Sequence, residues 1–227
     1  MKKQLILVST AVALALQACV KYEKPAEPTF QTVGLTDAIE IAGIAGDHPA
    51  ISQVAFVARY HMPPGVKGST AAELAQEHAR VMLRASFSDG GTRLLLPENP
   101  PQALMSSIAD DIPEGFEISD PAANTVSFTE IACDMDGDRV SAHLYLGRTV
   151  GATTYRLQYV YCDRPVTVTG SGVDWWEQST TYDLKLEKGW NRIVERSDWS
   201  ADSKIQTVTN RMPDGMEWRY GMWLGER

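Results

Sequence analysis

The rhythm of the chain changes near residue 125. From there on, Val140, Ala142, Leu144 and Leu146 alternate with Ser141, His143 and Tyr145, and Tyr155, Leu157, Tyr159 and Tyr161 alternate with Arg156, Gln158, Val160 and Cys162. A period of two sends successive side chains to opposite faces, so both stretches predict half-buried strands. Asp136-Gly137 before the first and Gly147 to Gly151 after it supply tight turns, which makes 125 to 163 a three-strand meander. Pro165 to Thr169 and Thr180 to Glu187 add strands. Lys188-Gly189-Trp190-Asn191 then reverses the chain into Arg192 to Glu195 as a hairpin, and Ile205 to Thr209 and Met216 to Leu224 end the series around Pro213-Asp214-Gly215.

Before residue 125 the pattern is less regular. Residues 34 to 46 fit a short helix or a strand. Ile51 to Tyr60 is apolar and partly β-branched, ends at Met62-Pro63-Pro64-Gly65, and reads as the first strand. Thr70 with Glu73 forms a capping box, and Leu74, His78, Val81, Met82 and Ala85 then fall on one stripe, so a helix is predicted over Ala71 to Ala85. From Ser88 to Pro121 the density of proline and glycine permits at most a short strand at Arg93 to Leu96 and a turn of helix at Gln102 to Ile108. Excursions of that length are commonly functional loops or hinges. The resulting expectation is a mainly β protein with one α-helix (α+β), built as an antiparallel β-sandwich or partly closed barrel, in a single β-rich domain over 34–227.

The N-terminus is of a different kind. Met1-Lys2-Lys3 is basic, Leu5 to Leu16 is an uncharged apolar run too short to span a bilayer as a mature helix, and small Ala18 precedes Cys19, the layout of a secretory signal. Leu16-Gln17-Ala18-Cys19 resembles the lipobox of bacterial lipoproteins. The resemblance implies that residues 1–18 are a signal peptide removed before Cys19, and that the Cys19 thiol carries a diacylglycerol anchoring the protein to a membrane. The alternative is an ordinary signal peptide cut near Ala18, leaving Cys19 a stray thiol. Residues 19–33, with Lys21-Tyr22-Glu23-Lys24-Pro25-Ala26-Glu27-Pro28, form a polar tether reaching roughly a few tens of ångströms when extended. Val20 stands where many inner-membrane lipoproteins carry aspartate, which favours the outer membrane, facing the periplasm, in a cell with two membranes.

Cleavage there removes 18 of 227 residues, leaving 209, enough for one sizeable core or two small ones. It also removes Lys2 and Lys3, so Lys+Arg falls from 21 to 19 against 29 acids and the net charge moves from -8 to -10. An acidic surface opposes binding to nucleic acid and to anionic lipid. With Cys19 lipidated, Cys133 and Cys162 remain as a pair, and an oxidising compartment makes a disulfide the default, worth about 3 to 4 kcal/mol in the chain-entropy model. Geometry restrains that expectation: an ideal meander leaves the two on its outer strands, roughly 9 to 10 Å apart, whereas a disulfide needs about 4.4 to 6.8 Å between Cα atoms. Either a bulge and strong twist bring them together, or their strands are direct neighbours.

Candidate chemistry is sparse. Asp134, Asp136 and Asp138 alternate as calcium ligands do, but Arg139 and Tyr145 stand where an EF-hand-like loop needs glycine and a bidentate glutamate, and a turn rich in Asp and Gly explains the same residues. His48, His61, His78 and His143 are scattered without metal-ligand spacing. Gly170-Ser171-Gly172 reads as a loop tripeptide rather than a nucleophile site, and no phosphate-cradling loop appears. No catalytic, metal or cofactor site is therefore expected.

Six tryptophans, Trp175, Trp176, Trp190, Trp199, Trp218 and Trp223, fall in the last fifty-odd residues. Most are expected in the core, with Trp175 and Trp176 the exposed pair, because neighbours on a strand point to opposite faces. Indoles beside polar groups would suit a glycan or protein partner. Three functions stay open: a lipid-anchored envelope protein with a binding or structural role, an envelope hydrolase using Asp89, Glu98, Asp110, Asp111 and Glu114 of the excursion, and an accessory factor that recognises its partner at a sheet edge.

Overall fold

The computed structural model describes residues 28–58, 80–88, 90–127, 129–136, 139–174, 178–199 and 204–222, with the side chains of 134–136, 139–141 and 222 excepted. Five strands come first: β1 (Phe30–Thr32), β2 (Ala38–Ile41), β3 (Gln53–Ala58), β4 (Arg80–Ser86) and β5 (Thr92–Leu95). After a 3-10 turn at Gln102–Leu104 follow β6 (Ser106–Ser107), the helix α1 (Ile108–Asp111), β7 (Glu117–Ile118) and β8 (Asn124–Val126). The long strands are β9 (Thr129–Asp136), β10 (Arg139–Val150), β11 (Thr153–Cys162), β12 (Val166–Val173), β13 (Ser179–Leu186) and β14 (Gly189–Trp199). β15 (Lys204–Thr209), β16 (Arg211–Pro213) and β17 (Glu217–Met222) end the chain. The protein is mainly β with one short α-helix among the described residues, as its alternation predicts.

β10 is where the architecture branches. β17 pairs along one edge of β10 from Ala142 to Gly147, so β9 and β11 share the other edge. There β9 takes Arg139 to Leu144 and β11 takes Gly147 to Val150. From this edge the two diverge: β9 leads to β3 and β4, and β11 leads through β14, β15, β13 and β12 to β7. The path is open at β4 and β7, so it makes a sandwich-like fold and closes no barrel.

Divergence creates two large cores. Between the branches, Phe56 of β3 meets Tyr159 of β11 and Trp190 of β14 edge-on at 6.2 and 5.2 Å between ring centroids, and Tyr161 meets Trp190 at 5.5 Å. On the opposite face of β11 and β14, Val160, Cys162 and Ile193 join Val166 and Val168 of β12, Leu184 and Leu186 of β13, and Val208 of β15. β11 and β14 thus form a middle layer covered on both sides, and every residue from Tyr159 to Cys162 is buried. A strand that buries both faces gains apolar contact at each position and loses its alternation.

The second branch owes its curl to two asparagines. β13 and β14 are joined by two residues, yet they do not pair: β15 inserts between them, parallel to β13 and antiparallel to β14. The backbone groups stranded at the fork are met by side chains. Asn191, wholly buried, accepts from the Glu187 N–H at 2.9 Å and donates to the carbonyls of Glu187 at 2.8 Å and Gly189 at 2.9 Å. At the other end of the gap, Asn210 accepts from the Lys185 N–H at 2.7 Å and donates to the Arg192 carbonyl at 3.3 Å. Buried backbone groups need such partners, and asparagine carries a donor and an acceptor in one plane.

Several expectations change. The hairpin across Lys188-Gly189 is this fork, because a non-local strand outcompetes the local pairing. The predicted helix over 71–85 ends in strand: Arg80–Ser86 pairs with β3, whose run Val54–Ala58 is buried throughout, and the rest of that prediction lies outside the described residues. Strands β1 and β2 precede the expected first strand. Phe30–Thr32, read as tether, pairs with β16, and residues 33–36 continue against Asn210 and the start of β14, so the folded domain begins before residue 34. Gly170-Ser171-Gly172 lies within β12 rather than in a loop. Cys133 packs half-buried against the first core while Cys162 is buried in the second, its Sγ donating to the Arg164 carbonyl, and no disulfide joins the two. They lie on strands that part company beyond the branch.

Candidate binding cavity over the second core

The curl of the second branch leaves space. A cavity of about 390 Å³ lies between the inner face of β11, β14, β15, β13 and β12 and a cover made of α1, Ile112-Pro113 and the segment from Thr125 to Glu130. Its floor is apolar: Val160, Val168, Leu184, Ile193 and Val208 all face it. Small-molecule sites are typically of this size and character, with a few polar groups set into apolar walls. A second cavity of about 150 Å³, between the diverging β9 and β11, shares Thr129, Glu130 and Gln158 with the first.

The polar lining is acidic. Asp111, Glu130, Asp174 and Glu195 contribute carboxylates, and no described residue of the lining is Lys, Arg or His. Asp111 is placed by α1, whose Ser107 cap accepts from the Ala109 N–H. It receives hydroxyl hydrogen bonds from Ser106 at 3.0 Å, from Thr125 at 2.8 Å and from Ser127. Asp174 closes the turn between β12 and β13 by accepting from the Gln178 N–H at 2.9 Å and from the Thr180 hydroxyl at 3.3 Å. Glu195 sits diagonally across the β11–β14 ladder from Gln158, whose amide donates to it at 2.8 Å, and it accepts from the Ser197 hydroxyl at 3.2 Å.

Tyr182 projects from β13 into this setting. Burial pushes its phenol up to about 12, and the negative charges of Asp174, Glu195 and Asp111 push the same way. The Phe116 ring meets the Tyr182 ring edge-on at 5.0 Å. It lies over Gly170 and Gly172, where an added Cβ would come within 3.6 and 3.1 Å of the ring, so the glycines of that tripeptide make room for Phe116.

Burial also raises the phenols of Tyr159 and Tyr161 and the thiol of Cys162. A group whose folded pKa is raised holds its proton in the fold after the unfolded chain has released it. Its contribution is complete below the ordinary values of 9.0 for Cys and 10.0 for Tyr, and is lost as pH rises toward the folded values. The thermal midpoint is therefore expected to fall steadily from about pH 9 upward, with a gentler fall in Tyr182→Phe. A midpoint that stays level from there to about pH 12 would contradict this burial.

The candidate residues read from the sequence scatter. Of the five acids of the excursion, Asp111 is buried in the cavity while Glu98, Asp110 and Glu114 are exposed, and Asp89 lies outside the described residues. Cys19, Trp175, Trp176, Trp223, His61 and His78 also lie outside them, as do the side chains of Asp134 and Asp136 and all of Asp138. His48 is exposed and His143 half-buried, and among the described residues no group of acids, His and Cys is placed to hold a metal ion.

Trp190 and Trp218 are core residues, 3 and 7 % exposed, whose ring N–H groups donate to the carbonyls of Pro97 and Glu40. Trp199 is the half-exposed indole, at the end of the sheet where Val173 and Ile205 are exposed too. Asp174 and Gln178, which flank Trp175 and Trp176 in the sequence, lie at that end. Glu130, Gln158, Tyr182 and Glu195 went unread in the sequence. The signal for them was Val160 and Cys162, apolar on the face assigned to solvent. No family model matches the chain, and neither a curated protein nor a solved structure does.

Proposed function

We propose that this is a lipid-anchored protein of the bacterial envelope, held through Cys19 and facing the periplasm from the outer membrane, that binds a ligand in the cavity over its second core without covalent chemistry of its own. The observation that carries the binding role is the cavity itself, an apolar floor under a few fixed polar groups. A hydrolase is disfavoured because the described acids of the excursion, Glu98, Asp110, Asp111 and Glu114, do not converge and Asp111 is engaged by three hydroxyls. The apolar rim of Val173, Trp199 and Ile205 supports a partner protein or glycan approaching from that end.

Two experiments test the two halves of this reading. Cys19→Ala should release the protein from the membrane fraction or leave it as unprocessed precursor; a variant that is processed and still membrane-bound refutes the anchor. For the cavity, the full chain extracted gently from membranes should release a small solute to mass spectrometry, and a folded Val160→Phe variant, its cavity filled, should release none. Identical solutes from both would refute the cavity as the binding site.

A further inference from the structure

We infer that the cavity takes an organic cation, an ammonium group carried on a compact apolar body, with the ammonium at Glu195 and the body on the floor formed by Val160, Val168, Leu184, Ile193 and Val208. The inference rests on the binding role proposed above and names the class of ligand. Three features carry it.

The floor and the polar groups occupy different parts of one half-open space of about 390 Å³, so a ligand must present an apolar and a polar part to be matched everywhere. The polar part meets four carboxylates, on α1, β9, the turn after β12 and β14, and no Lys, Arg or His among the described lining residues. An anionic group there would face like charge, whereas a cation gains what the anion loses. Finally, Glu195 has the form of a preset acceptor. Its hydrogen-bond donors, the Gln158 amide and the Ser197 hydroxyl, are neutral and fix the carboxylate in place, while Arg156, opposite Glu195 in the β11–β14 register, lays its guanidinium over the Tyr145 ring at 4.6 Å. It stands on β14, paired along both edges with β11 and β15, so the acceptor does not have to be ordered when a ligand arrives. Tyr182, kept as a neutral phenol by burial and by the surrounding acids, offers the hydroxyl oxygen as a further acceptor and its ring as a face for the cation.

The test uses three probes of one shape that differ in charge, titrated calorimetrically into the full chain: cyclohexylammonium, cyclohexanol and cyclohexanecarboxylate. The cation is expected to bind most tightly and the carboxylate most weakly. Glu195→Gln, which keeps the size and the hydrogen-bonding plane, should weaken the cation by about tenfold, as loss of a charge-assisted hydrogen bond does, and leave cyclohexanol unchanged. Equal binding of all three, or a cation unaffected by Glu195→Gln, overturns the charge inference while the binding cavity stands. Binding of none of them overturns both.

Discussion

Trp190→Ala should lower the free energy of unfolding by about 3 to 5 kcal/mol, as for large aromatic residues removed from a closed core. Trp190 stands on the middle layer, facing Phe56 of the other branch across the first core. Its ring is held edge-on between Phe56 and Tyr161, and its N–H donates to Pro97 O at 2.8 Å, tying the 88–121 excursion to the first core. Truncation leaves a void the size of an indole between strands fixed by their ladders, and it orphans a carbonyl. Denaturant unfolding with an unchanged slope measures the loss. A cost below about 1 kcal/mol, the range of ordinary surface substitutions, would place Trp190 outside the core.

Asn191→Ala should cost about 3 kcal/mol or more, although only a few atoms are removed. The side chain satisfies the N–H and C=O of Glu187 and the C=O of Gly189 in a place with no solvent access. Each buried backbone group left without a partner costs about 1 to 3 kcal/mol. The neighbouring strand that would normally pair with this backbone is displaced by β15. Amide exchange at Glu187 should accelerate in the same variant. Slow exchange there together with a small loss of stability would mean that β13 and β14 hold their divergence by other means.

These two neighbours show which parts of the fold the sequence discloses. The core role of Trp190 was legible, since most tryptophans in a β-rich chain are needed inside. The role of Asn191 was not. Lys188-Gly189-Trp190-Asn191 has the composition of a hairpin reversal, and the strand that prevents the hairpin is contributed by residues 204–209, a contact that no local pattern encodes. Likewise Arg80–Ser86 supports two periods at once. Val81, Met82 and Ala85 suit a helix, Val81, Leu83 and Ala85 suit a strand, and the exposed edge of β3 decides between them. β17, where buried Trp218 follows exposed Glu217 and alternation is kept, was read close to its true bounds. The cavity was illegible for a related reason: Gln158 and Glu195 become neighbours through cross-strand register, and their chemistry gives no motif along the chain.

The central claim is that the ligand space lies over the second core, on the far side of β11 and β14 from the first. Methyl NMR of the full chain with labelled Val, Leu and Ile, titrated with cyclohexylammonium, tests it most directly. Shifts confined to Val160, Val168, Leu184, Ile193 and Val208, with Val54, Leu144 and Val194 of the first core unmoved, are the predicted result. Shifts at the first-core methyls while those of the second stay still would contradict it.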